Sequence, residues 1–370
     1  MYIEKLSLLN FKNLKLAELE PQSTVNCLIG CNGAGKTNVL DAIYYLSFCK
    51  SYFNNIDYQN INYDEPFFML QAKYSIEGKP HQVICSVKRN EKKVFKFNDK
   101  EYPRLADHIG LIPLVIISPS DADFINEGSD IRRKFIDSVL AQFDKFYLDN
   151  LLNYNKALLQ RNYLLKSFYE NNYFDKSAIE IWDEKLITLG YKIFDRRLEF
   201  IKNFLPIFQN YYETLSGGKE IIHISYESHL LHSNFEKLLS EALTSDRKAL
   251  YTTVGIHKDD LIFNLNKVPL KKFGSQGQQK TFLIALKLSQ FTITKEIKNL
   301  TPILLLDDVF DKLDNKRVEY LMKLVGGDEF GQVFITDTDI ERVSRVLKNA
   351  EIKARFFEVS NDTVNLLTHA

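Results

Sequence analysis

Lys36 and Thr37 close the string Gly30-Cys-Asn-Gly-Ala-Gly-Lys-Thr, which fits the pattern of Gly, four residues, then Gly-Lys-Ser/Thr. Such a loop turns its backbone N–H groups and the following helix N-terminus onto phosphate oxygens. The lysine meets the β and γ phosphates of a nucleotide, and the hydroxyl beside it ligates Mg²⁺. Far along the chain, Pro302-Ile-Leu-Leu-Leu-Asp307-Asp308 runs an apolar strand into two carboxylates. Acids at the C-terminal edge of a parallel sheet lie where ligands bind. Asp307 reads as the Mg²⁺ partner, and Asp308 as the group that orients or deprotonates an attacking water. Asp308 has a side chain one methylene shorter than a glutamate's, which hints at slow hydrolysis.

A third string, Phe273-Gly-Ser275-Gln-Gly277-Gln278-Gln-Lys280, stands before the apolar run TFLIALKLSQF. Ser275 is placed as an N-cap, with the positive helix end available to a phosphate. Taken alone this is only a capped helix. Followed by the 302–308 strand and then Leu313-Asp314, it has the order of the ABC ATPases.

These residues need elements to hold them. TVNCLIG reads as a strand running into the glycine loop, and Thr37 to Phe48 places Val39, Ile43 and Leu46 on one helical face. The segment FMLQAKYSIEGKPHQVICSVKRNEKKVFKFNDKEY alternates apolar and polar residues between the turn signals EGK, RNEK and ND, which predicts a meander of hairpins. From about Asp130 to Tyr212 the pattern is helical, with one proline, Pro206, until Leu215-Ser-Gly-Gly218 breaks it. Two short buried strands follow at 303–307 and 332–336. The spacing therefore splits the nucleotide-binding sheet around a helical insert: 1–125 with the loop and meander, 126–250 helical, and 251–370 returning to α/β texture. No internal repeat, low-complexity run or sustained heptad is visible.

Composition narrows the classes. The 370 residues suggest about two or three domains. Lys+Arg and Asp+Glu both number 48, so no global field steers the chain to nucleic acid and any such contact needs a local patch. Candidate patches are the hairpin Lys88-Arg89-Asn-Glu-Lys92-Lys93-Val-Phe-Lys96 and the run Arg132-Arg133-Lys134. The longest apolar runs fall far short of a bilayer span. The first residues lack the basic and apolar regions of a signal peptide, and Cys27, Cys31, Cys49 and Cys85 lack metal-ligand spacing, so a cytoplasmic, reduced protein is expected. Cys31, inside the loop, reads as a small filler. His257 in GIHKDD has no metal-ligand partner at helical spacing and reads either as structural or as a contact to nucleotide or DNA.

The order of motifs, the short chain and several strings together closely resemble the RecF family of bacterial recombination mediators. The strings are LLNFKNL, GCNGAGKTN, IISPSDADFINEGSDIRRKFID, YNKALLQRNYLLK, VGIHKDDL, FGSQGQQKT, LLLDDVFDKLD and QVFITDTD, spread over nearly the whole chain. Members look like heads of SMC-type ATPases without the long coiled coil. The resemblance implies an α/β ABC-type ATPase head with an antiparallel β lobe and a helical second lobe, using ATP and Mg²⁺. It implies an ATP-dependent homodimer that binds gapped DNA at single-strand to double-strand junctions, works with the RecO and RecR proteins, and promotes recombinase loading in gap repair. Carried over by position, Gly30, Asn32, Gly33, Gly35, Lys36, Thr37 and Asn38 hold the nucleotide, and Ser275, Gly277 and Gln278 form the signature. Asp307 and Asp308 are the Walker B pair, with Lys36 and Asp308 catalytic and Thr37 and Asp307 on Mg²⁺. Asp314 is the dimer-contacting acid; Arg132 and Arg133, which the resemblance includes, read either as a contact to DNA phosphates or as a solvated charged segment. Thr336 or Asp337 sits where transporter ATPases place a switch histidine, and Ser118 to Asp121 is the region of the Q-loop. Another SMC or transport-associated head is the alternative; transporters carry a switch histidine and a glutamate after the Walker B aspartate, and SMC arms need heptads.

Overall fold

The structure, a computed structural model, describes the chain except Lys219, Asp311, Lys312, Asp314, Asp328, Asn361, Asp362, residues 368–370 and the side chain of Asn315. It divides into two compact units. One comprises Met1–Ala122, Thr214–Gly218 and Ser275–Ala370, the other Asp123–Glu213 and Lys219–Gly274.

The first unit carries a six-stranded sheet in the order Thr363–Leu367, Ala354–Ser360, Val25–Ile29, Val333–Asp337, Ile303–Leu306, Leu114–Ile117. Neighbours are parallel except for the Thr363–Leu367 edge. Four of these strands are buried at every position, the signature of a parallel sheet covered on both faces. The helix Lys36–Phe48 leaves the end of Val25–Ile29 and is buried almost all round.

A second sheet in this unit is antiparallel, in the order Leu14–Leu19, Tyr2–Phe11, Phe67–Ile76, Lys79–Lys88, Val94–Phe97, Lys100–Glu101. Its strands alternate as the sequence does, with Phe68, Leu70, Ala72 and Tyr74 inside and the residues between them outside or half-buried. The expected hairpins are present. Asn98 and Asp99 take φ of 48° and 66°, the positive pair that a two-residue type I′ turn requires.

The second unit is built on the helices Ser129–Phe143, Lys145–Glu170 and Lys176–Ser216, the last continuing through Pro206. It differs from the sequence reading in two ways. Ile222–Glu227, inside the stretch expected to be helical, is a strand paired antiparallel with Asp260–Leu265. Because of that pairing the unit runs on to Gly274, so 251–274 belongs with the helical lobe and not with the C-terminal ATPase part. Buried ion pairs fasten the same segment: Arg197 lies 2.8 Å from Asp137 and 2.7 Å from Asp259. Removing one partner of such a pair costs about 3–5 kcal/mol, because the other charge is left buried alone.

Candidate nucleotide-binding site

The glycine loop follows the strand Val25–Ile29 and closes at Gly35, the N-cap of the next helix, with φ of 109°. Two glycines are required by close approach. A Cβ on Gly30 would lie 2.3 Å from the Val359 carbonyl oxygen, and one on Gly35 would meet Asn13 Oδ1 at 2.8 Å. Lys36 Nζ donates to the carbonyls of Gly30 at 2.8 Å and Cys31 at 3.0 Å, so the ammonium is folded across the mouth of the loop. Cys31 is an exposed free thiol, and Asn32 and Gly33 are exposed beside it.

Asp307 lies immediately beyond the strand Ile303–Leu306, one strand away from the loop, with Val333–Asp337 between them. That intervening strand brings Thr336 to the carboxylate. Thr37 Oγ1 donates to Asp307 Oδ1 at 3.0 Å across 270 residues of sequence, and Thr336 Oγ1 donates to the same oxygen at 2.8 Å. The Asp308 backbone N–H in turn donates to Thr336 Oγ1 at 2.9 Å. Burial raises the Asp307 carboxyl above its ordinary value; the Thr336 and Thr37 hydrogen bonds oppose this, the neighbouring Asp308 adds to it, and Lys36 lowers it. Asp308 holds φ of 45°, in the left-handed region that Asp tolerates better than most residues.

The donor set suits a small hard cation. Mg²⁺ bound octahedrally at 2.0–2.1 Å holds neighbouring ligand oxygens about 2.9 Å apart. The Thr37 hydroxyl and the Asp307 carboxylate already stand at 3.0 Å. One carboxylate and one hydroxyl suffice where phosphates and waters complete the shell.

Ser275 is the N-cap of the helix Gln276–Lys298, with both halves of a capping box: its Oγ accepts from Gln278 N at 3.2 Å, and its own N–H donates to Gln278 Oε1 at 2.8 Å. Ser275 itself is exposed, its hydrogen bonds held within its cap. Gly277 O accepts from Arg317 Nη1 at 2.8 Å, which ties the signature turn to the helix Asn315–Val325. Asp314 lies outside the described residues.

Four contributors escaped the sequence reading in whole or part. Asn13 donates to Gly33 O at 3.2 Å and accepts from Asn38 Nδ2 at 2.6 Å, bracing the loop from within the LLNFKNL string. Lys280 Nζ reaches the Asp308 carbonyl at 3.4 Å. Arg317 gave no signal of its own. Of Thr336 and Asp337, Thr336 reaches Asp307 at 2.8 Å, while Asp337 pairs with Arg342 at 2.7 Å.

Elsewhere, several of the basic residues singled out by charge have internal partners. Arg132 pairs with Asp260 through Nε at 2.6 Å and Nη2 at 3.0 Å, and Arg133 donates to the Asp259 carbonyl at 2.6 Å. In the hairpin, Lys93 turns inward to Asp57 at 2.7 Å, leaving Lys88, Arg89 and Lys92 exposed. His257 is engaged at both ring nitrogens, by Tyr154 at 2.9 Å and the Thr252 carbonyl at 3.0 Å, which assigns it a structural place.

The model of the RecF/RecN/SMC N terminal domain family matches residues 2–361. The DNA replication and repair protein RecF of Phocaeicola vulgatus is 51% identical over 366 residues, 98% of each chain. The chain belongs to the RecF family. The RecF of Flavobacterium johnsoniae is 48% identical over 97% of this chain and 100% of its own. A solved structure of the recombination mediator protein RecF with ATP, from the RecFOR pathway, matches with a TM-score of 0.89 at 31% identity, over 99% of this chain and 98% of that one. The Smc head domain of Pyrococcus furiosus matches at 0.59 and 16% identity, over 99% and 96%, a likeness of fold. This RecF-family chain therefore has the α/β fold of an SMC-like ABC-type ATPase head, with an antiparallel β lobe and a helical second lobe. Among its described residues no helix is long and apolar enough to cross a membrane.

Proposed function

We propose that this RecF-family protein is an ATP-gated DNA-binding switch of single-strand gap repair and replication restart. The observation that carries this reading is the meeting of Thr37, Asp307 and Thr336 at the mouth of the glycine loop. ATP lies in the loop Gly30–Asn38, with Lys36 leaving the loop carbonyls for the phosphates. Thr37 and Asp307 hold Mg²⁺, which when bound neutralises phosphate charge. Asp308 orients or deprotonates water, and its short side chain makes hydrolysis a slow reset. ATP drives two copies together so that the Ser275 helix end of one caps the nucleotide of the other, with Asp314 at the contact. The dimer grips gapped DNA at junctions in the cytoplasm and acts with RecO and RecR in recombinase loading.

The test is binding to gapped DNA with and without ATP, in the parent and in Lys36→Met. Tight binding should require ATP in the parent. Lys36→Met should lose roughly tenfold to a hundredfold in ATP affinity, as expected when charge-assisted hydrogen bonds to phosphate are removed. Equal DNA affinity with and without ATP would sink the switch.

DNA binding through Arg132 and Arg133 remains part of the proposal, at the cost of displacing Asp260 from Arg132. Replacing both with Ala should flatten the slope of log affinity against log salt by about one for each phosphate no longer neutralised. A lower unfolding midpoint with an unchanged slope would move the DNA patch elsewhere.

A further inference from the structure

The first unit holds a second set of buried charges, none of them among the residues that meet at the glycine loop, with Asp121 at the end of the region expected to be the Q-loop. Lys287 lies on the helix Gln276–Lys298, about 18 Å along the axis from Ser275 at ~1.5 Å per residue. It is 6% exposed and is the only charge within the run TFLIALKLSQF. Its Nζ sits 2.7 Å from Asp121 Oδ1 and 3.2 Å from the Tyr52 hydroxyl. Tyr52 donates to that same carboxylate oxygen, while Asp121 Oδ2 accepts the Ser118 backbone N–H at 2.8 Å.

The contacts continue beyond Tyr52. Its backbone N–H donates at 2.7 Å to Asp41 Oδ1, on the helix that the glycine loop opens. Asp41 is fully buried, and its other oxygen takes the Ser51 hydroxyl at 2.6 Å and Lys12 Nζ at 2.6 Å. Lys12 adjoins Asn13, which braces Gly33 and Asn38. A line of polar contacts, bridged by the chain itself between Lys12 and Asn13, thus joins the glycine loop to the helix Gln276–Lys298.

Stability alone gives no reason for it. Apolar side chains of similar volume in place of both partners would pack about as well, since the desolvation of a buried ion pair offsets its attraction. What the pair adds is direction, because a charge-assisted contact has one good geometry where an apolar contact has many. We propose that Asp121 and Lys287 are positioning residues: they fix where the signature helix stands relative to the phosphate loop, and so how Ser275 is presented to the nucleotide of a partner copy. This inference rests on the ATP-gated dimer proposed above.

The experiment compares the parent with Lys287→Met, Lys287→Arg and the double variant Asp121→Asn/Lys287→Met, which leaves no lone charge at this pair and so protects against simple misfolding. ATP affinity, ATP-dependent self-association and turnover, split into kcat and KM, are measured for each. Lys287→Met and the double variant should keep ATP affinity within about twofold yet fall about tenfold in self-association and kcat, the scale of an ordinary coupling between sites. Lys287→Arg should recover most of the loss. The proposal is overturned if the double variant associates and turns over like the parent, or if ATP affinity falls in step with association. A parent that binds ATP but never associates overturns the dimer reading and this inference together, whereas an associating parent with unaffected variants overturns only this inference.

Discussion

Thr336 donates a 2.8 Å hydrogen bond to the carboxylate of Asp307, the acid proposed above for Mg²⁺. The same hydroxyl accepts the Asp308 N–H, so one side chain sets both acids. Thr336→Val keeps the shape and removes both bonds. It should lower stability by about 1–3 kcal/mol through the stranded N–H and reduce ATP turnover, with Thr336→Ser restoring both. Urea unfolding and steady-state hydrolysis measure the two effects; an unaltered turnover in the Val variant would limit Thr336 to a structural part.

Asp308→Asn changes only the carboxylate proposed to orient the attacking water, and Asn tolerates the φ of 45° found there. ATP binding should persist while turnover falls by about 100-fold or more, the contribution typical of a general base. The associated form should then live longer after ATP is added. Unchanged hydrolysis means that Asp308 is not the catalytic acid.

If Ser275 serves the nucleotide of a second copy, defects can be sorted between sites. A Lys36→Ala subunit paired with a Ser275→Arg subunit puts both lesions in one composite site and leaves the other whole. Titrating one inactive variant against the other at fixed total protein, with ATP and gapped DNA, should restore part of the hydrolysis at intermediate ratios. Heterodimers that crosslink but stay inactive would mean that Ser275 acts within its own chain or that the sites fire only together; a covalently linked dimer with a single lesion separates the two.

His108 gives a pH dependence. It is fully buried, with Nε2 donating to the Leu46 carbonyl at 2.8 Å, and burial lowers its pKa from 6.5 to about 4. The folded form thus resists a proton that the unfolded chain accepts. Stability from this group is intact above pH 6.5, falls as pH drops towards 4, and levels off below. The full effect is roughly 3 kcal/mol at 1.36 kcal/mol per unit. Urea midpoints for the parent and His108→Gln between pH 7 and 5 should diverge in slope. His257, also lowered to about 4 by burial, supplies part of the slope that remains.

How much of this was legible follows from how local each signal is. The phosphate loop packs its chemistry into eight contiguous residues, and the strand ending in Asp307 carries its own boundary, so both could be read directly. Thr336 could be narrowed only to one of two neighbours, because adjacent strand residues face opposite ways and the register is set by other strands. Arg132 shows its charge in the sequence but not Asp260, its partner 128 positions away. The strand Ile222–Glu227 was hidden for a similar reason, since its pairing partner, Asp260–Leu265, lies beyond an intervening helix, Phe235–Ala249.

The strand that launches the phosphate loop, Val25–Ile29, has Val333–Asp337 on one side and Ala354–Ser360 on the other. Both neighbours are synthesised more than 300 residues later. On a ribosome adding about 5–20 residues per second, the loop waits roughly 15 to 60 s for the walls that shape it. The antiparallel sheet and the inserted helical lobe can form in that interval, but ATP has nothing to template. If the loop binds ATP as proposed, binding waits for residues 333–360: a copy cut short before residue 333 should be blind to ATP and should stay out of any ATP-dependent assembly.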